Sequence, residues 1–177
     1  QRMLLIARSD KKSLKRFVFS GTAMICGRKS NKIVTENEYP SDTAEHFVNY
    51  TKTKADTETM LRTVYNDLPL LIVRPSIIVG HRTLGVRPGT SIYWMFRAGD
   101  KMRLVTGSES GGVDAVPVDW AADAILKIAA KDVLQYNTYH ISAGTENRTL
   151  WRDVARAFES QDPSNGKRRY ESVDNLQ

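Results

Sequence analysis

The sequence has 177 residues, 41% of them hydrophobic and 26% charged, which suits a globular chain with apolar material for one sizeable core. No run of eighteen apolar residues occurs, and the opening QRMLLIARSDKK turns charged too soon for a membrane span or a secretory signal, so no membrane partner is expected. The net charge of +6 is scattered apart from short clusters at Lys11, Lys12, Lys15 and Arg16 and at Lys167, Arg168 and Arg169, which favours solvated surface over a nucleic-acid footprint; the lone Cys26 excludes an internal disulfide and suits a reducing cytoplasm.

In chain order, Met3, Leu4, Leu5 and Ile6 predict that the chain opens inside a helix. KRFVFSGTA reads as a short buried strand, with Phe17, Val18 and Phe19 apolar and a small-residue turn at Ser20 and Gly21. The polar stretch 28–44, with Asn31, Pro40, Ser41 and Asp42, predicts a loop. From Glu45 to Val64 breakers are few, and Tyr50, Lys54, Met60, Leu61 and Val64 fit helical spacing. LPLLIVRPSIIVG then gives a nearly unbroken apolar strand of the kind buried on both faces of a parallel sheet.

Downstream the pattern predicts a helix over 91–98, a short strand over 103–106, and a flexible loop at GSESGG. A helix over 119–130 follows, with Asp119 as its cap and Asp123 near its start, then a strand over 138–142 and a helix over 150–158. The tail from Gln161 reads as loosely structured. Strand, helix and buried strand in this order point to a doubly wound α/β layer.

Tyr50 and Lys54 stand one helical turn apart and project from the same face. An ammonium beside a phenol favours its ionised form, so this pairing suits proton exchange with a carbonyl or alcohol oxygen. Upstream, Thr22 follows the first strand, where a parallel sheet presents ligand-facing groups at its carboxyl edge. His46, His81, His140 and Cys26 lack metal-ligand spacing. Arg82, Arg87, Arg97 and Arg103 suit either grip on an anionic substrate or plain surface solubility.

FVFSGTAMICG, YTKTK, LLIVRPSIIVG and VDAVPVDWAADAI, in this order and spacing, resemble the later motifs of the extended short-chain dehydrogenases/reductases, over roughly residues 1–158. The resemblance implies an α/β fold, a Rossmann-type doubly wound parallel sheet with a small carboxy-terminal substrate-binding part. It implies that Thr22 hydrogen-bonds the substrate oxygen, that Tyr50 is the general acid/base, and that Lys54 binds the nicotinamide ribose and tunes the tyrosine. Pro75, Ser76 and Ile77 match the segment lining the nicotinamide of NAD or NADP.

The expected function is NAD(P)-dependent hydride transfer to or from a carbonyl/alcohol substrate. The alternatives are a sugar-nucleotide epimerase or dehydratase that retains NAD, and a non-catalytic dinucleotide-binding sensor. Ile77 stands where relatives acting on nucleotide sugars commonly carry asparagine, and VPVDWAADAI is similar to acyl-thioester reductases; both shift the expectation towards reductases. Gly21 stands where many relatives carry a second hydroxyl.

The family's Gly-x-x-Gly-x-x-Gly turn does not occur here, so the expectation is a sheet whose amino-terminal half is missing. Residues 1–80 are expected to form the later half of the dinucleotide-binding domain with the catalytic residues, and residues 81–177 a substrate-binding region with returning Rossmann elements. The partner is a small molecule, and the family is compatible with a homodimer.

Overall fold

Residues 2–28, 33–85, 90–106 and 111–173 are described by the structure, a computed structural model. The elements in chain order are α1 (Arg2–Ser9), β1 (Phe17–Ser20), α2 (Asn49–Val64), β2 (Leu70–Pro75), β3 (Ile77–Val79), α3 (Thr90–Met102), β4 (Leu104–Val105) and β5 (Gly112–Val113). They continue as β6 (Ala115–Pro117), α4 (Val118–Ala130), β7 (Thr138–Ile141), β8 (Thr149–Leu150), α5 (Trp151–Gln161), a 3-10 turn (Pro163–Asn165) and β9 (Glu171–Ser172). They fall into two units, residues 1–76 with 121–141 and residues 77–120 with 142–177.

The first unit is built on a parallel sheet of order β1-β2-β7, in which Phe17 lies opposite Leu70 and Ile72 opposite Thr138. β2 is the central strand, and Leu71, Ile72, Val73, Arg74 and Pro75 are all buried, as a strand covered on both faces requires. β1 departs from the expectation of a buried strand: its residues alternate, and Val18 is 40% exposed. The reason is its place at the outside of this sheet, where only Phe17 and Phe19 reach the cluster of Leu4, Ala7, Leu61, Tyr65 and Leu68 supplied by α1, α2 and the turn after α2.

The apolar run 68–80 is one pattern in sequence and two strands in space. The Ser76 amide donates to the Ile141 carbonyl at 3.0 Å, prolonging the β2–β7 ladder, whereas the Ile77 amide donates to Asp114 at 3.1 Å and opens the β3–β6 pair of the second unit. Hydrophobic periodicity does not register such a change of partner.

The helix expected from Glu45 begins at Asn49. Its first turn is fastened from outside: the Thr51 hydroxyl donates to the Val48 carbonyl at 3.0 Å, which leaves its oxygen to accept from His46 Nδ1, also at 3.0 Å. Of the predicted loop 28–44, the described residues 33–44 contain no helix or strand.

In the second unit β3 pairs with β6 and β4 with β9 in parallel, and β5 pairs with β8 antiparallel. Its core joins Val105, Trp151, Ala155 and Tyr170, with Phe96 edge-on to Trp151 at 6.4 Å. The helix expected over 91–98 extends to Met102, and the strand expected over 103–106 is Leu104–Val105.

Over the described residues 161–173 the tail is anchored rather than loose. Asp100 Oδ1 accepts from the Tyr170 hydroxyl at 2.8 Å, from Arg103 at 3.0 Å and from Arg168 Nε at 3.4 Å, and both Arg168 and Tyr170 are buried. Burial and the neighbouring Asp100 carboxylate push the Tyr170 hydroxyl well above the usual phenol range, so it stays protonated and keeps donating.

Asp119 likewise differs from the expected cap. α4 starts at Val118, so Asp119 sits inside the first turn, where its carboxylate accepts from the Arg82 amide at 3.1 Å and from Arg82 Nε at 2.6 Å. Asp123 pairs with Lys127 on the exposed side of the same helix.

Candidate active site

The candidate site is assembled where β1 ends and α2 begins. The β1–β2 ladder continues past Ser20, because the Gly21 amide donates to Val73 and the Ala23 amide to Pro75, each at 2.8 Å. Thr22 therefore lies beside Pro75 at the carboxyl edge of the sheet. Its side chain is buried, and Oγ1 accepts from the Met24 amide at 3.3 Å, which leaves the hydroxyl proton for another acceptor.

The turn then closes through Gly27, whose φ of 71° suits glycine; a Cβ there would stand 2.5 Å from the Glu45 carbonyl. The adjacent Arg28 amide donates to that same carbonyl at 2.7 Å, tying the exit from β1 to the approach to α2.

Lys54 reaches back from α2 to donate to the Ser20 carbonyl at 2.7 Å. Its ammonium lies 5.3 Å from the Phe19 ring centroid and 5.8 Å from that of Tyr50. The structure thus brings Tyr50 and Lys54 together at the end of β1. The Tyr50 side chain is mostly exposed, and its hydroxyl has no hydrogen-bond partner among the described residues. No hydrogen bond joins it to Thr22.

Pro75 is buried, and Ser76 Oγ is enclosed without a hydrogen-bond partner among the described residues. Ile77 opens β3 of the second unit, half-buried and opposite Ala115. An enclosed hydroxyl without a partner is costly.

Sequence reasoning missed Glu58 and Arg74. Both side chains are fully buried, with Arg74 Nη2 to Glu58 Oε1 at 2.6 Å. Glu58 repeats the four-residue interval from Tyr50 and Lys54, and that spacing was its available signal.

The other candidates lie in internal contacts. Arg82 is paired with Asp119, Arg103 with Asp100, and Arg97 stacks 5.6 Å from the Trp94 ring; Arg87 lies outside the described residues. His81 Nδ1 accepts from the Thr83 and Leu84 amides in a local turn, and His140 pairs with Glu36. Cys26 is buried in a cluster with Ile25 and Ala55. Of GSESGG, residues 107–110 lie outside the described residues, while the Gly111 carbonyl accepts from Trp151 and Gly112 lies in β5.

Known proteins bear on this arrangement. The NAD-binding family described as male sterility protein matches residues 1–125. No curated protein matches the sequence. Among solved structures, the terminal R domain from the myxalamid PKS-NRPS biosynthetic pathway is 18% identical with a TM-score of 0.67, covering 91% of this chain and 40% of its own. The aureusimine biosynthetic cluster reductase domain is also 18% identical with a TM-score of 0.67, covering 98% and 46%. UDP-glucuronic acid 4-epimerase from Bacillus cereus, in complex with NAD, is 18% identical with a TM-score of 0.64, covering 97% and 53%. The chain thus spans about half or less of the length of these structures, and at this identity the likeness is one of fold.

Proposed function

Since the chain belongs to the NAD-binding male sterility protein family, within the extended short-chain dehydrogenases/reductases, we propose that it carries the catalytic centre of an NAD(P)-dependent oxidoreductase acting on a carbonyl or alcohol. The observation that carries this reading is the Lys54–Ser20 hydrogen bond of 2.7 Å, which holds an ammonium and the Tyr50 ring at the strand end that presents Thr22.

The residues present fit a nicotinamide dinucleotide. Ser76 Oγ is an enclosed polar atom without a partner among the described residues, and Lys54 spends one of its three protons on Ser20, leaving two for ribose hydroxyls. Tyr50, Lys54, Pro75 and Ser76 would hold the nicotinamide ribose and ring; when bound, the cofactor supplies or accepts the hydride at the substrate carbon.

In the reducing direction Tyr50 gives its hydroxyl proton to the carbonyl oxygen, and in the oxidising direction it takes the alcohol proton. The Thr22 hydroxyl, already accepting from Met24, donates to the same oxygen and orients it. Lys54 stabilises the negative charge that Tyr50 carries after giving up its proton.

Within this class the reading favours reduction of a carbonyl or acyl thioester. Ile77 in place of the asparagine common in nucleotide-sugar enzymes supports it, as do the two reductase domains among the similar folds. Residues 1–80 are assigned the acid/base and cofactor contacts, and residues 81–177 the larger share of substrate binding.

The test is oxidation of NADH and NADPH by the complete protein, with octanal, octanoyl-coenzyme A and UDP-glucose offered in turn. Turnover on either octanoyl compound, lost by about 10²-fold or more in Tyr50→Phe with dinucleotide binding retained, is the expected result. Undiminished turnover in Tyr50→Phe would remove the tyrosine from the mechanism. Conversion of UDP-glucose with no net dinucleotide turnover would replace this reading with an epimerase.

A further inference from the structure

Four α2 residues one turn apart, Tyr50, Lys54, Glu58 and Arg62, run along one face of the helix, and three of them each reach a different strand of the sheet. Lys54 reaches β1 at the Ser20 carbonyl, Glu58 reaches β2 at Arg74, and Arg62 reaches β7 at Thr138 Oγ1, at 2.7 Å. The middle contact is the most enclosed. Arg74 offers Nε to Glu58 Oε2 at 3.3 Å and Nη2 to Oε1 at 2.6 Å, and neither side chain has any exposure.

Further hydrogen bonds hold this pair from its surroundings. Arg74 Nη2 also donates to the Glu38 carbonyl at 2.8 Å and Nη1 to that of Thr35 at 3.4 Å, while Glu58 Oε1 accepts from Arg62 Nε at 3.0 Å. A Cβ on Gly21 would stand 3.5 Å from Glu58 Oε2. The carboxylate therefore lies against the backbone just before Thr22, one helical turn beyond Lys54.

Burying two charges rarely stabilises a protein more than two apolar side chains of the same volume would. What a two-pronged guanidinium–carboxylate contact adds is geometry: it fixes rotation and depth of the helix against the strand, where an apolar pair tolerates sliding. We propose that Glu58 and Arg74 are positioning residues that set Tyr50 and Lys54 against Thr22 by fixing the register of α2 on β2. This rests on the reading of Tyr50 and Lys54 as the acid/base pair. It adds that the alignment is held from beneath, by side chains that touch neither substrate nor cofactor.

The experiment compares three variants of the complete protein with wild type and with Tyr50→Phe, using NADH and NADPH with octanal or octanoyl-coenzyme A as the reduced probe. Glu58→Leu/Arg74→Met replaces the pair with apolar side chains. Arg74→Lys keeps the charge without the fork. Glu58→Asp keeps the carboxylate but shortens its reach. The double variant should melt cooperatively near the wild-type temperature while kcat falls by about 10²-fold, with KM for the dinucleotide within about threefold, because misplacement costs the chemical step more than binding. Arg74→Lys and Glu58→Asp should fall between the double variant and wild type in kcat.

Wild-type kcat in the folded double variant, with Tyr50→Phe inactive, overturns the positioning role and leaves the acid/base reading standing. Full activity in Tyr50→Phe overturns both. If the double variant does not fold, the two single variants decide. Wild-type kcat in both rejects the proposal, and loss of kcat at unchanged KM and unchanged melting supports it.

Discussion

The Lys54 ammonium and the Ser20 carbonyl meet at 2.7 Å across 34 positions of sequence, joining the second turn of α2 to the last residue of β1. Lys54→Ala removes this link together with the cation beside Tyr50. Turnover and dinucleotide affinity should therefore fall together, each by about tenfold or more, since a charge-assisted hydrogen bond contributes roughly 1.5–3 kcal/mol. Calorimetric titration of NADH and NADPH beside steady-state rates checks this. A change confined to the melting temperature would reduce Lys54 to a fastener of the helix.

Thr22→Val keeps the shape and deletes the hydroxyl. The Met24 amide loses its acceptor, which costs about 1 kcal/mol of stability, whereas kcat should drop by about tenfold to a hundredfold. Thr22→Ser, which restores the hydroxyl, should recover most of the rate. Urea unfolding and kcat measured on the same preparations separate the two effects, and a fully active valine variant would count against Thr22 as donor to the substrate.

In the second unit the carboxylate of Asp100 gathers three donors. Asp100→Ala removes three hydrogen bonds at once and leaves the buried Arg168 guanidinium with Asp162, 3.5 Å away, as its ion-pair partner, and should cost about 3 kcal/mol. Tyr170→Phe removes one hydrogen bond and should cost about 1–2 kcal/mol. Urea denaturation reads both; equal effects would show that Asp162 and the nearby carbonyls suffice to hold the arginine.

Arg82 and Asp119 give a dependence on pH. Desolvation pushes the Asp119 carboxyl up, but hydrogen bonds from the Arg82 side chain and amide outweigh it and hold the group at about 2. A folded-state value below the unfolded one means that the stabilisation is complete above about pH 4 and disappears as pH falls towards 2. Melting curves of wild type and Asp119→Asn should differ at pH 5 and converge near pH 2. A constant gap across that range would mean that the contact acts by packing alone.

Much of the layout could be read from residue patterns. The density of apolar residues in 68–75 identified β2, and helical spacing identified α2 with Tyr50 and Lys54 on one face. What escaped is of one kind. A glutamate in mid-helix reads as surface, yet Glu58 is buried because Arg74 comes from a strand to meet it. The tail around Arg168 and Tyr170 is polar and aperiodic, and its order draws on the distant Asp100 and on the pairing of β9 with β4. The break at Ser76 is a switch of backbone partner inside an even apolar run. Each depends on a contact between residues far apart in sequence, about which local pattern carries no information.

The pairing of β4 with β9 has a bearing on how the protein is made. Val105 and Asp100 leave the ribosome long before Ser172 and Tyr170, their partners in the ladder and in the buried network. Until the tail emerges, the short edge of β4 and the face of Trp151 lack their last covering layer, and the second unit stays open to chaperones and proteases. The first unit gains its third strand once Ile141 is out. Synthesis from one end thus gives the half bearing Tyr50 and Lys54 a head start over the half closed by the tail.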